Sequence, residues 1–172
     1  SKYKTVNDMP TLCAVPLCYY DDEDEDKYTY KLGAMLKHCQ THVALCREHP
    51  ELTKETILDY YTANTGNLAD KTLYLRKDDV SDDLRSNSAL KSAYPYNIEF
   101  ATAEQIEELT NSNDDKALII HIINPYDGDG QPYCIKLIID VSKGMLYYYD
   151  FQKLKKNTIG HITSDDLKKL SK

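Results

Sequence analysis

The densest set of side chains able to do chemistry lies between residues 38 and 49: His38, Cys39, His42, Cys46 and His49. On a helix advancing about 100° per residue, His38, His42 and His49 fall within a stripe of roughly 40°, with Cys46 just beyond it. His38 with His42, and His42 with Cys46, are i, i+4 pairs, the spacing at which side chains on successive turns share one ion. Imidazole and thiolate donors so placed suit zinc or copper, provided another segment completes the shell. A structural reading competes and is preferred. Leu32, Leu36 and Val43 lie on the side to which Cys39 and Cys46 point, and buried free cysteine is ordinary core filling. The histidines would then flank the core and only hydrogen-bond.

A second pair is Cys134 and His121, on neighbouring predicted strands, where the two could meet across the sheet and generate a thiolate nucleophile. No glycine-rich turn or helix start nearby offers an oxyanion hole, and His121 sits among Ile119, Ile120, Ile122 and Ile123, which favours a core histidine. The stretch from Asp127 to Gly130 opens like a calcium loop, but Gln131, Pro132 and Ile138 occupy positions that need ligands or glycine; a polar inter-strand loop is expected. The adjacent acids Glu107 and Glu108, and Asp165 and Asp166, diverge by about 100° on a helix and do not face one substrate. Nucleophile elbow, phosphate loop, dinucleotide fingerprint and metalloprotease helix are all missing from the sequence.

Tyrosine is the compositional oddity, 15 residues against 2 Phe and no Trp. A ring with a polar tip suits interfaces and sugar-like or peptide ligands. Tyr147, Tyr148 and Tyr149 alternate across the last predicted strand, so an edge position would present Tyr147 and Tyr149 to a partner. The plainer expectation is that Tyr replaces Phe as the core aromatic.

The elements that must position these groups follow from periodicity. Residues 1–27 read as an irregular arm and an acidic loop, Asp21 to Asp26, and residues 28–172 as a single α/β domain. Helices are predicted from Tyr28 to Glu48, stopped by Pro50, and from Thr53 to about Gly66, with Leu52 and Ile57 at staple spacing. Strand Thr72–Arg76 is followed by a helix capped by Ser81 and running to about Ala93. Strand Tyr96–Phe100 then precedes a helix opened by the capping box Thr102 to Gln105 and ending near Asn111. Strands Lys116–Ile123, Tyr133–Val141 and Met145–Phe151 come next, the last two joined by a turn at Ser142 to Gly144, and a helix runs from Thr163 to Leu170. The order α-α-β-α-β-α-β-β-β-α demands a mixed sheet: parallel where helices cross over, antiparallel where loops are short. It overlaps a thioredoxin-like element order, but the loop after the first strand, Lys77 to Ser81, holds no Cys-x-x-Cys.

The chain of 172 residues carries a net charge of −7. That balance opposes nucleic-acid binding, and no apolar run reaches the roughly 18 residues of a membrane span. Five cysteines leave at least one unpaired within the chain; Cys13 and Cys18 could close a small loop, whereas Cys39 and Cys46 lie roughly 10 Å apart along a helix axis, too far for a disulfide. A first residue of Ser1 rather than Met points to a processed or trimmed chain. Several phrases, KYTYKLGAMLKH (Lys27–His38), DYYTANTGNLADKTLYL (Asp59–Leu75), YPYNIEF (Tyr94–Phe100) and IIDVSKGMLYYYDF (Ile138–Phe151), resemble a family of exported bacterial proteins without an assigned function. The resemblance implies an extracytoplasmic location, periplasmic or secreted, and carries over no catalytic or binding residue. Together these readings predict a non-enzymatic binding or protein-interaction domain for a protein or small ligand. A zinc or copper protein using His38, His42 and Cys46 is the first alternative and a Cys-dependent enzyme the second.

Overall fold

The structure, a computed structural model, describes Val15, Leu17 and residues 29–53 and 55–171. The acidic run and the Cys13 and Cys18 pair lie outside the described residues. Helices α1 (Leu32–Glu48) and α2 (Ile57–Asn64) precede β1 (Thr72–Leu75), α3 (Asn87–Ala93), β2 (Asn97–Phe100), α4 (Ala103–Asn111), β3 (Ala117–Ile123), β4 (Tyr133–Asp140), β5 (Leu146–Lys153) and α5 (Ser164–Leu170). The chain is α/β with one mixed sheet of order β2-β1-β3-β4-β5. β1 is parallel to both β2 and β3, and β3-β4 and β4-β5 are antiparallel.

Strands β3 and β4 read as near-continuous apolar runs because both sheet faces are covered. On one face, Leu90 of α3 and Leu167 and Leu170 of α5 pack on Leu73, Leu75, Leu118 and Ile138. On the other, Ala34 and Met35 of α1, Tyr61 of α2 and Ile106 of α4 pack on Ile119, Leu137 and Ile139. The two crossovers, α3 from β1 to β2 and α4 from β2 to β3, lie on opposite faces, as right-handed connections in opposite directions require.

Three sequence expectations shift. The helix expected from Ser81 is interrupted: Asp82–Leu84 is a single 3-10 turn and α3 starts anew, with the Ser86 hydroxyl accepting from the N–H of Ala89. Ser86, Asn87 and Ser88 compete with a helix interior for backbone hydrogen bonds and favour a cap there. Helix α2 starts at Ile57 rather than after Thr53, and Thr53 donates its own N–H to the Thr56 hydroxyl. The largest change concerns α1. Its buried residues are Ala34, Met35, His38 and Leu45, whereas Leu32 and Leu36, expected in the core, are 42% and 55% exposed. The two stripes lie about 120° apart around the helix, and the fold buries the one carrying His38.

The β4-β5 turn explains that choice. Asp140 closes the turn, its Oδ1 accepting the N–H of Ser142 and of Lys143, while Oδ2 pairs with Lys71 at 2.7 Å. Helix α1 lies across this turn. Lys37 Nζ donates to the carbonyl of Val141 at 2.6 Å, Thr41 Oγ1 to that of Lys143 at 2.6 Å, and His38 Nδ1 to that of Gly144 at 2.7 Å. Gly144 has φ +67°, and a Cβ there would stand 2.7 Å from the backbone of Lys37 and His38. Gly144→Ala therefore adds about 1–2 kcal/mol of left-handed strain to a clash between two backbones. A drop of more than about 2 kcal/mol in unfolding free energy, read from urea titration, is expected; an unchanged midpoint would remove this turn from the determinants of α1 docking.

Candidate functional site

The histidine stripe of α1 is real, but tyrosines take it up. Because a carbonyl can only accept, the His38 bond to Gly144 puts the proton on Nδ1. The His42 ring stacks on Tyr61 with centroids 6.0 Å apart, and its Nδ1 is 3.1 Å from the Tyr61 hydroxyl. His49 donates from Nδ1 to Glu51 Oε1 at 3.0 Å, and its Nε2 accepts from the Tyr60 hydroxyl at 3.1 Å. The adjacent tyrosines of α2 thus each clasp one histidine, Tyr61 taking His42 within α1 and Tyr60 taking His49 at its C-cap. His38 and His42 come together, with ring centroids 6.1 Å apart, while Cys46 is a half-buried free thiol. Among the described residues no three His, Cys, Asp or Glu side chains gather where one metal ion would reach them all. The Glu51-His49-Tyr60 chain has the connectivity of a proton relay. It sits at the surface, with the His49 and Glu51 side chains 36% and 67% exposed.

Cys134 and His121 do not meet. His121 stands opposite Leu137 in the β3-β4 register, and Leu137 and Cys134, three apart on β4, face opposite sides of the sheet. His121 therefore faces the α1 side and Cys134 the α5 side. Burial pushes the Cys134 thiol up to about 11, the reverse of an activated nucleophile. Close packing against Gly160, where a Cβ would lie 2.2 Å from the sulfur, leaves no room for a substrate. The Asp127 loop binds itself: Oδ1 accepts from the N–H of Asp129 and Gln131, and Oδ2 from the Tyr133 hydroxyl.

Beside Cys134 lies a polar cluster that the sequence reading missed. Lys136, fully buried, pairs with Asp166 at 2.7 Å and approaches Asp150 at 4.0 Å. Asp166 also accepts from the Tyr148 hydroxyl at 2.8 Å and from the N–H and hydroxyl of Thr163. Burial opposes its charge, but these donors outweigh burial and hold its carboxyl below the ordinary value. The available signal was a lysine in mid-strand, on the same face as Cys134, in an otherwise apolar segment.

The sheet edge is the third place. β5 is an edge strand among the described residues. Its residues Tyr149 and Phe151 are 44% and 53% exposed, and Phe151 stacks on Tyr133 at 5.1 Å. Tyr147, expected to be presented alongside Tyr149, is instead half-buried: its hydroxyl accepts the N–H of Gly66 at 3.0 Å and Lys71 lies over its ring. Phe151 takes its place in the exposed patch.

Where β1 and β2 end, their chains leave to opposite faces, the kind of crevice at which open α/β sheets bind ligands. Just past the end of β1, Arg76 lies over the Tyr30 ring, as Lys31 does, and Lys77 lies over Phe100 at the end of β2. A cleft of about 350 Å³ opens nearby between β2 and α4, lined by Tyr74, Glu99, Phe100, Gln105 and Glu108 among others. Of the acids weighed in the sequence only Glu108 lines it, without its neighbour Glu107. Compared with known proteins, the chain matches no family model, no curated protein and no solved structure.

Two expectations follow from these environments. Burial, and secondarily the neighbouring His42, lowers the pKa of His38 against the opposing pull of the Gly144 carbonyl; burial likewise lowers that of His42. The unfolded chain takes up protons below about pH 6.5 before the folded chain does. Stability is therefore complete above that pH and falls as pH drops toward the folded-state values, by at most about 1.4 kcal/mol per pH unit for His38. Urea midpoints between about pH 8 and pH 5 should show this slope, and His38→Gln should flatten it; equal slopes in both proteins would exclude His38 as its source. Lys136→Met leaves Asp166 charged and buried, at a loss of about 3–5 kcal/mol, whereas Asp150→Asn, at the longer distance, should lose less than about 1 kcal/mol. Denaturant titrations giving similar losses for the two would contradict the assigned pairing.

Proposed function

We propose that this chain is a non-enzymatic protein-interaction domain that takes an extended polypeptide along β5. One observation carries the reading: the edge strand bears exposed Tyr149 and Phe151, the latter stacked on Tyr133. Large exposed aromatics on one continuous surface mark contact sites rather than ordinary solvent-facing positions. Strand addition supplies main-chain hydrogen bonds, and alternate side chains supply specificity. The reading also places the domain outside the cytoplasm; its support is the likeness of the quoted phrases to exported bacterial proteins. The metal alternative lacks a third ligand among the described residues, and the thiol alternative has its two groups on opposite sheet faces.

A displayed library of extended peptides, selected against the folded chain, tests the proposal. The selected peptides should lose at least about tenfold in affinity on Phe151→Lys. They should be indifferent to Glu99→Lys at the opposite edge. Peptides that bind the Phe151→Lys protein as well as the unaltered one, or a selection that enriches none, would sink the reading.

A further inference from the structure

The two edges of the sheet are not alike. β2 has four residues, is preceded by Pro95, and shows exposed Asn97 and Glu99 along its length. Short strands, flanking proline and outward charge are the devices that stop an edge from pairing with another chain. β5 has eight residues, Leu146–Lys153, and contains no proline.

The direction of its peptide groups follows from one bond. Leu154 donates its N–H to the carbonyl of Pro132 at 2.9 Å, continuing the register in which Tyr133 faces Lys153. In an antiparallel pair, alternate residues turn both N–H and C=O toward the partner and the rest turn both away. Leu154, Gln152 and Asp150 therefore spend theirs on β4, and Tyr149, Phe151 and Lys153 direct theirs outward. Tyr133 agrees with this parity, since its N–H turns away from β5 to the carbonyl of Pro125 at 2.8 Å.

We infer that the strand accepted at this edge is β5 of a second copy, paired antiparallel about a two-fold axis through Phe151. The inference rests on the reading of β5 as a binding edge. An axis normal to the sheet sets outward-facing residues opposite outward-facing residues: Phe151 against the partner's Phe151, Tyr149 against the partner's Lys153. Each of these pairs exchanges both N–H···O=C bonds. The Lys153 ammonium falls beside a tyrosine ring, and on the other face Asp150 falls opposite the amide of the partner's Gln152. No like charges oppose one another, and the stacked Tyr133 and Phe151 rings of the two copies form one aromatic ribbon across the axis. The alternative centre at Tyr149 pairs Phe151 with the partner's Tyr147. That end of the strand is bulged at Ile138/Ile139 and occupied by the Gly66 loop. Centres at Asp150 and Lys153 set like charges face to face, and a centre at Gln152 sets Phe151 against an ammonium instead of a ring, so Phe151 is the centre that pairs ring with ring without opposing like charges.

Sedimentation velocity on the full chain across concentration tests this. The unaltered protein should pass from monomer, 19.8 kDa, to dimer. Phe151→Lys, which sets two ammonium groups face to face at the axis, should weaken dimerisation at least about tenfold while its melting curve stays intact, the side chain being exposed. Glu99→Lys on β2 should dimerise unchanged. In hydrogen exchange, the amides of Tyr149, Phe151 and Lys153 should gain protection with rising concentration, while those of Asp150 and Gln152 should not change. A chain that stays monomeric at about 1 mM, or a dimer indifferent to Phe151→Lys, overturns the inference. If the monomer still binds selected peptides at β5, self-pairing alone has failed; if it does not, the interaction-domain reading fails with it.

Discussion

A lysine ammonium held in the middle of a covered sheet governs how the C-terminal half of this chain can be arranged. Lys136 lies on β4, flanked along the strand by Ile135 and Leu137 and shielded from solvent. A charge so placed costs several kcal/mol unless matched at close range. Three elements must converge to match it: β5 brings Asp150 and Tyr148, α5 brings Asp166, and the turn before α5 brings Thr163 to hold Asp166 in place. Lys136 and Asp150 are direct cross-strand partners, and a one-residue slip would send one of them to the other face. The buried lysine thus agrees with the β4-β5 register that the apolar residues also set, its close partner being Asp166 of α5 at 2.7 Å while Asp150 stands at 4.0 Å.

The tyrosine content has a related explanation. Tyr60 and Tyr61 bond His49 and His42, Tyr147 accepts from Gly66, Tyr148 donates to Asp166, and Tyr133 donates to Asp127. In each case the hydroxyl reaches a polar group that a Phe ring would leave without that bond. Rings serving as both filler and hydrogen-bond partner let short elements such as α2 dock with little apolar area of their own. The histidines of α1 belong to this scheme: their helical stripe resembles a ligand set in sequence yet meets no third donor among the described residues.

The order of elements and the mixed sheet were legible because each signal was local: alternation in β4, capping boxes at Thr102 and Thr163, and a glycine turn at Gly144. The pairing of β5 with β4 followed from their short connection, whereas the edge position of β5 emerges only from the strand order. The buried face of α1 was not legible. Leu32, Leu36 and Val43 make the stronger apolar stripe by residue type, but the carbonyl of Gly144, distant in sequence, draws His38 inward instead. Pairing Cys134 with His121 failed for a similar reason. Adjacent strands were foreseen, but which residues share a face depends on the β3-β4 register, in which His121 stands opposite Leu137. Asp166 looked like half of an acidic doublet on a helix, since nothing within α5 reveals that Lys136 waits beneath it.

The same buried charge shapes the surface. On β5 the alternation assigns Tyr148, Asp150 and Gln152 to the α5 side and Tyr149, Phe151 and Lys153 to the other. Because Asp150 turns inward toward Lys136, the strand's one acidic residue is withdrawn from the exposed face, and Lys153 at its end is the only charge left there. A strand whose acid faced outward would carry its own protection against pairing, as Glu99 does on β2. Matching Lys136 inside the protein therefore leaves β5 long, aromatic and nearly uncharged outside, and core electrostatics and edge chemistry become two consequences of one alternation.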